Sequence, residues 1–178
     1  MNTTSNHKLL HLLASSKIPY RLLIHRPGTD TAGASAERGH DPAEAAKSVL
    51  LRAGYGRRRR SYVTAVVPGD RRVSFRKIMS QMACDDISFA ALHVAETLTG
   101  CESGTIPPLS FAPDHQVIVD SSLATAGTIY FNTGRHDQSV GVAGNHWVLL
   151  TEPVVADIAW TPIISTDRSA SNSGPEFD

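Results

Sequence analysis

The sequence predicts a single α+β domain built around a mixed β-sheet. Three observations carry that expectation. The chain has 178 residues, enough for one domain with a substantial core. Seven short apolar runs of strand length are interleaved with short stretches of helical spacing. No internal repeat is visible, which argues against a solenoid or a propeller.

Composition narrows the class. Apolar residues make up 41% and charged residues 19% of the chain, an ordinary globular mix. No apolar run approaches the ~20 residues that span a bilayer, and Met1 to Lys8 lacks the apolar core of a signal peptide. The two cysteines, Cys84 and Cys101, form no CxxC. A disulfide framework and a structural zinc site are therefore disfavoured, and a cytoplasmic location without a membrane partner is expected.

Taken in order, Asn6 to Ser16 carries Leu9, Leu10, Leu12 and Leu13 at helical spacing. Pro19 ends that helix, and Tyr20 to His25 reads as a strand. Asp30 to Gly39 is small and polar and predicts a short helix closed by Gly39. Ala45 to Leu51 is an apolar strand interrupted by Lys47 and Ser48. Gly54 to Arg60 is a glycine- and arginine-rich connection to a second apolar strand, Ser61 to Val67, so the two strands predict a hairpin with arginines at its tip. Pro68-Gly69-Asp70 turns the chain. Val73 to Met82 predicts a helix with Phe75, Ile78, Met79 and Met82 inward, followed by an extended Ile87 to Ala90 and a helix Ala91 to Leu98. Gln116 to Val119, Thr128 to Phe131 and Val140 to Ala143 read as strands, and Asn145 to Leu150 as a short helix with Trp147 inside. The domain is expected to span residues 1–164. From about Ser165 the chain is rich in Ser, Asn and Gly, which predicts a disordered tail over 165–178.

The net charge is zero, but its distribution is uneven. Arg52, Arg57, Arg58, Arg59, Arg60, Arg71, Arg72, Arg76 and Lys77 fall within one stretch, opposed there only by Asp70. Such a stretch suits a polyanion, although a solvated loop has the same composition.

Two features point to chemistry. The first is the loop Thr99-Gly100-Cys101-Glu102-Ser103-Gly104-Thr105-Ile106-Pro107-Pro108. Its glycines permit positive φ or a close approach to a ligand, and its prolines stiffen it. A stiff loop with bare N–H groups can hold a carbonyl oxygen or a phosphate, though a plain helix-to-strand connection reads the same way. The second is Lys47, which in a strand shares a face with Ala45, Val49 and Leu51. An ammonium in apolar company either reaches water, protects a sheet edge, or meets an anion or a carbonyl. His25 ends a strand and lies next to Arg26-Pro27-Gly28, where it can line a pocket or simply pack. Asn132-Thr133-Gly134 offers small polar groups to a ligand, or a turn. His93, His115, His136 and His146 lack ligand spacing, so no metal is expected. Ser48 has no GxSxG context, and Cys101 shows no partner base. There is no nucleotide fingerprint, and no cofactor is expected.

Ala46-Lys47-Ser48, Val67-Pro68-Gly69-Asp70, Ile87-Ser88-Phe89-Ala90, Thr99-Gly100 through Pro108, Val119-Asp120 and Phe131-Asn132-Thr133-Gly134, in this order and spacing, resemble the aminoacyl-tRNA deacylases of the YbaK type. These are relatives of the editing domain of bacterial prolyl-tRNA synthetases. Thr99 to Phe111 is most similar to the stand-alone YeaK-like branch, and the likeness covers roughly Leu10 to Val155. It implies a mixed-sheet pseudo-barrel surrounded by short helices and hydrolysis of the ester of mischarged tRNA. It also implies that Lys47 is the essential lysine, with Ser48, Gly100, Gly104, Thr105, Ile106, Pro107, Thr133 and Gly134 around the aminoacyl-adenosine end. The segment Thr29 to Asp41 matches only loosely and is expected to form part of the amino-acid pocket, and the run Arg57 to Arg60 is not carried over from the family.

Three functional readings compete at this level. One is a trans-editing deacylase that takes the acceptor end of aminoacyl-tRNA, with Arg57, Arg58, Arg59 and Arg60 on its phosphates and an aminoacyl-tRNA synthetase as a further partner. The second is a non-catalytic module that binds tRNA or a synthetase. The third is a hydrolase of small esters or amides, indifferent to tRNA.

Overall fold

The computed structural model of the chain describes residues 3–27 and 30–162; the tail expected over 165–178 lies outside them. Helix α1 (Thr3–Ser16) buries Leu9 and Leu13, which four-residue spacing puts on one face. Strand β1 (Tyr20–Ile24) follows. Helix α2 (Thr31–Arg38) is bounded by capping chemistry. The Asp30 side chain accepts from the Gly33 N–H, and Gly39 closes the helix in the left-handed conformation. A 3-10 turn at Pro42–Glu44, capped by Asp41, delivers the chain into β2.

Strands β2 (Ala46–Tyr55) and β3 (Arg59–Pro68) pair antiparallel over their full length, from Ala46 opposite Pro68 to Tyr55 opposite Arg59. The hairpin is longer than the sequence suggests. Only Gly56, Arg57 and Arg58 turn the chain, while Arg59 and Arg60 belong to β3. Gly54 pairs instead of looping, because its backbone carbonyl accepts the Asp85 N–H.

The remaining elements are β4 (Arg72–Val73), α3 (Phe75–Met82), β5 (Asp86–Phe89), α4 (Leu92–Thr99), β6 (Gln116–Asp120), α5 (Ser121–Ala124), β7 (Ile129–Arg135), β8 (Gln138–Val142), α6 (Gly144–Thr151), β9 (Val154–Ala156) and β10 (Ala159–Trp160). Val73, expected in a helix, lies in β4, because Ser74 caps α3 and starts it at Phe75. None of the helices among the described residues is long and apolar enough to cross a membrane.

Five strands form the main sheet in the order β5-β2-β3-β6-β9. The β3–β6 and β6–β9 pairs are parallel and the others antiparallel, so the sheet is mixed, as expected. Strict alternation divides its side chains between two cores. One face carries Ala46, Val66, Val117 and Val119 against α1, Trp147 of α6, and Phe131 and Val140 of a second sheet, β1-β8-β7. The other face carries Leu51, Ala53, Val63, Ala65, Val67 and Ile118 against Ile78 of α3, with Phe75, Met79 and Met82 packed around it. A single parallel bridge, Ala45 to Tyr130, joins the two sheets at one end and gives the α+β domain its partly closed, barrel-like wall.

Asp120 locks the chain end onto this frame. It is 2% exposed. One carboxylate oxygen accepts from the Ser122 N–H and hydroxyl, and the other from the Ile158 N–H at 3.0 Å and the Ala159 N–H at 2.9 Å. Burial pushes its pKa up, but these hydrogen bonds together outweigh burial and hold it below the usual carboxylate value. A depressed carboxyl stabilises the fold above the unfolded-state pKa, and that contribution is lost as pH falls through the folded one. Asp120→Asn keeps the shape but loses the charge and one acceptor pair. It is expected to cost about 2 kcal/mol at pH 7, or roughly 4–8 °C in melting temperature, read by circular dichroism. The deficit relative to wild type should shrink as pH is lowered.

Candidate active site

The main sheet has a gap in one of its edges. On the side of β2 away from β3, β5 pairs from Leu51 to Gly54, and the Ala90 N–H donates to the Leu50 carbonyl at 3.0 Å. The next contact on that edge is the Ala45 bridge to Tyr130. In an antiparallel ladder a residue turns both backbone groups to one side, and alternate residues turn them to opposite sides. Leu50 faces β5, so Ser48 presents its N–H and C=O to the same side, where no strand pairs with it among the described residues. A cavity of about 510 Å³ lies along this gap, within the range of small-molecule sites. It is lined by Ala45 and, in β2, Ala46 to Leu50, by Asp30 and the α2 residues Thr31, Ala34 and Arg38, by Tyr130, Phe131 and Asn132 of β7, by Ser103, Gly104 and Ile106 of the glycine-proline loop, and by Phe89, Ala90, Leu92, Ala95 and His136.

Lys47 stands in one wall, half-buried, with Nζ donating to the Arg71 carbonyl at 2.7 Å. Burial lowers its pKa from the ordinary lysine value, the Arg72 charge lowers it further, and Asp70 opposes. Gly69 brings these groups together. A Cβ there would lie 2.5 Å from Thr31 Cγ2 and 2.7 Å from the Pro42 carbonyl, so only glycine lets the β3–β4 turn close against the start of α2. Ser48, on the opposite face of β2, has a buried hydroxyl with no hydrogen-bond partner among the described residues.

The glycine-proline loop is tied to β7. The Asn132 amide donates to the Gly104 carbonyl at 2.9 Å, and the Gly134 N–H to the Thr105 carbonyl at 3.0 Å. Pro107 and Pro108 are buried beneath it. Gly104 has φ 82°, and a Cβ there would stand 3.9 Å from His136 Cε1, an ordinary contact. Among the described residues the N–H groups of Gly104 and Ile106 donate no hydrogen bond. Like Ser48, both residues belong to the lining of the cavity.

The site residues expected from sequence thus divide into two groups. Lys47, Ser48, Gly104 and Ile106 line the cavity; Gly100, Thr105, Pro107, Thr133, Gly134 and His25 do not. Gly100 caps α4. The Thr105 hydroxyl turns inward to the Glu102 carbonyl. Thr133 is fully buried, bonded to Asn6 and Gln138, because strand alternation points its neighbour Asn132 at the cavity instead. Gly134 packs on the Cys101 sulfur. His25 lies one layer back, its Nε2 2.8 Å from the Ser139 hydroxyl, which supports Asn132 and Arg38. Arg57 to Arg60 are exposed at the far end of the hairpin, roughly 25–30 Å of extended strand from Lys47. Cys101 is 1% exposed and burial raises its pKa, which is unsuited to a nucleophile. Among the described residues no three His, Cys, Asp or Glu side chains are grouped to hold a metal.

Arg38 carries no signal in the sequence. It sits in the last turn of a short polar helix, where a cation is ordinary.

The Gly104 geometry makes a prediction. Gly104→Ala forces a left-handed alanine, so it should cost about 1–2 kcal/mol, measurable by thermal unfolding. The side-chain amide signals of Asn132, which donates to the Gly104 carbonyl, should shift as well, and an exposed change such as Asp114→Asn should not reproduce that shift.

Comparison with known proteins adds to this geometry. The profile of the aminoacyl-tRNA editing domain matches residues 25–149. The multifunctional Ser/Thr-tRNA deacylase ProXp-y of Escherichia coli (strain K12) is 24% identical over 160 residues, covering 89% of this chain and 95% of that protein. Among solved structures, hypothetical protein APE2540 is similar with a TM-score of 0.76 at 24% identity, covering 86% of this chain and 99% of its own. A candidate trans-editing enzyme for prolyl tRNA synthetase is similar with a TM-score of 0.72 at 18% identity, covering 88% and 97%.

Proposed function

We propose, from the premise that the chain belongs to the aminoacyl-tRNA editing domain family, that it is a trans-acting deacylase which hydrolyses mischarged tRNA carrying a small hydroxyl amino acid, serine or threonine. The observation that carries this reading is the gap in the β2 edge. It sets a free backbone N–H beside a half-buried lysine in a cavity of nucleoside size.

The chemistry needs no protein nucleophile, because an aminoacyl ester is already activated. A water oxygen adds to the ester carbonyl carbon, the bond from that carbon to the ribose oxygen breaks, and a proton passes to the ribose oxygen. The products are the free amino acid and uncharged tRNA. Negative charge develops on the carbonyl oxygen in the transition state. The N–H groups of Ser48, Gly104 and Ile106 are fixed donors for it, each worth ~3–4 kcal/mol when well aimed. Lys47 adds a cation at the same end of the cavity. The hydrogen bond to the Arg71 carbonyl restricts its ammonium, which favours an electrostatic role over proton abstraction.

The choice of amino acid is supported by the name of the Escherichia coli relative and by Ser48. By turning into the cavity, the buried and unpartnered Ser48 hydroxyl pairs with a substrate hydroxyl and is left unsatisfied by alanine, a form of discrimination that methylene-sized differences cannot match. Arg57 to Arg60 extend the site toward the acceptor stem, where they meet phosphates without reading sequence. The substrate is made where translation occurs, so this reading implies a cytoplasmic enzyme.

Deacylation of Ser-, Thr-, Ala- and Cys-tRNA by wild type and Lys47→Met tests the reading. Ser- and Thr-tRNA should be cleaved and Ala-tRNA much less. Lys47→Met should lose at least ~100-fold in turnover, with a melting temperature within ~3 °C of wild type. Failure to cleave any of the four while tRNA still binds would favour a binding module. Replacing Arg57 to Arg60 with serine should weaken tRNA binding. Its salt dependence should flatten by up to ~0.9 in log–log slope for each duplex phosphate the arginines neutralise.

A further inference from the structure

Arg38 is a charged group that the fold does not pair with an opposite charge. It lines the cavity and is only partly exposed. Its Nε donates to the Ala34 carbonyl at 2.8 Å, and its Nη1 reaches the Ser139 hydroxyl at 3.0 Å and the Asn132 side-chain oxygen at 3.4 Å. All three partners are neutral. Among the described residues Arg38 forms no ion pair, and its Nη2 makes no hydrogen bond. The C-terminal end of α2 offsets part of the charge, and burial lowers its pKa. A half-buried guanidinium in a cavity wall, held by neutral acceptors and with one nitrogen that makes no hydrogen bond among the described residues, is an arrangement that an incoming anion completes.

The position of Arg38 narrows what that anion is. Helix α2 runs along the cavity wall, with Thr31 against the turn that holds Lys47 and Arg38 at the other end. Seven residues of helical rise separate the two ends by ~10 Å. If the ester carbonyl lies at the Lys47 end, the Arg38 end is about a nucleoside's length away. The anionic group of a terminal aminoacyl-nucleotide is its 5′-phosphodiester, one nucleoside from the ester. A planar fork is matched to phosphate oxygens. The supporting layer is built to fix that fork. The Ser139 hydroxyl is 2.8 Å from Asn132 Oδ1 and 2.8 Å from His25 Nε2, and Asn132 in turn donates to the Gly104 carbonyl.

We propose that Arg38 is the receptor for the phosphate on the 5′ side of the terminal nucleotide of the substrate, so that Lys47 and Arg38 fix the aminoacyl-nucleotide at two points across the cavity. This assignment rests on the reading of the chain as an aminoacyl-tRNA deacylase. The competing role for Arg38 is structural, as a tie between α2 and the β7–β8 pair.

Binding measurements separate the two without requiring turnover. Adenosine 5′-monophosphate and adenosine are titrated into isotope-labelled wild type, Arg38→Gln and Arg38→Lys, followed by NMR. Wild type should bind the monophosphate about 10- to 100-fold more tightly than adenosine, the range for hydrogen bonds to a charged group. Arg38→Gln should abolish that preference while its affinity for adenosine stays, and Arg38→Lys should keep part of it. On aminoacyl-tRNA the Arg38→Gln change should appear mainly in KM. Equal weakening of both ligands, together with a lowered melting temperature, would assign Arg38 to structure and overturn the proposal. So would a wild type that does not distinguish the two ligands. A phosphate preference that depends on Arg38 in a protein that cleaves no aminoacyl-tRNA would leave the phosphate site standing and remove the enzyme reading instead.

Discussion

A stretch of the β2 edge left unpaired among the described residues organises this molecule. The strand is satisfied by β3 along one edge and by β5 along part of the other, and the Ala45–Tyr130 bridge re-engages that edge at the strand's start. Between them the backbone of Ser48 is left without a partner strand. Buried peptide groups are almost always satisfied, and an open edge invites another chain. Helix α2, β7 and the glycine-proline loop flank the gap in a cavity of about 510 Å³, a volume in the range of small-molecule sites.

The electrostatics follow from the same enclosure. Lys47 and Arg38 both line the cavity, both lose solvent to it, and both have neutral oxygens as hydrogen-bond partners. Burial lowers the pKa of each. Two half-buried cations without ion-pair partners among the described residues oppose folding. Stability and function therefore pull apart at these positions, as they commonly do at sites that bind charge. The remaining polar groups have the opposite character. Asp120 takes four hydrogen bonds to its carboxylate, and buried His115 accepts the Phe111 N–H on Nδ1 and pairs its Nε2 with Thr64. These groups hold the frame.

Much of this was legible in the sequence. The β2–β3 hairpin follows from two apolar runs around a glycine-arginine turn. Helix α2 follows from Asp30 and Gly39, which both cap it, and Trp147 is buried as its spacing suggests. The profile match over 25–149 accords with the resemblance carried by Lys47 and the glycine-proline loop. Strands β4, β9 and β10 were not legible, because two or three residues hold no periodicity and their pairing is decided by tertiary contacts such as Asp120 to Ile158 and Ala159. Around the cavity, motif reasoning reached segments that line it and often named the neighbouring residue. Thr133 lies one residue from the cavity-facing Asn132, and Thr105 lies between Gly104 and Ile106. Alternation along a strand or loop decides which neighbour faces inward, and a one-residue difference reverses the answer. Arg38 was hidden for another reason. On an eight-residue polar helix its charge reads as solvated surface, and only the packing of α2 onto β7 and β8 turns it inward.

The claim that the free β2 edge is the reacting surface is tested most directly by titrating a non-hydrolysable amide analogue of seryl-adenosine into isotope-labelled protein and following the backbone amides. The account predicts that the amides of Ser48, Gly104 and Ile106 shift most, in a saturable manner, while those of the hairpin tip at Gly56 to Arg58 stay in place. Saturable binding that leaves Ser48 unmoved, with the largest shifts elsewhere in the chain, would contradict it.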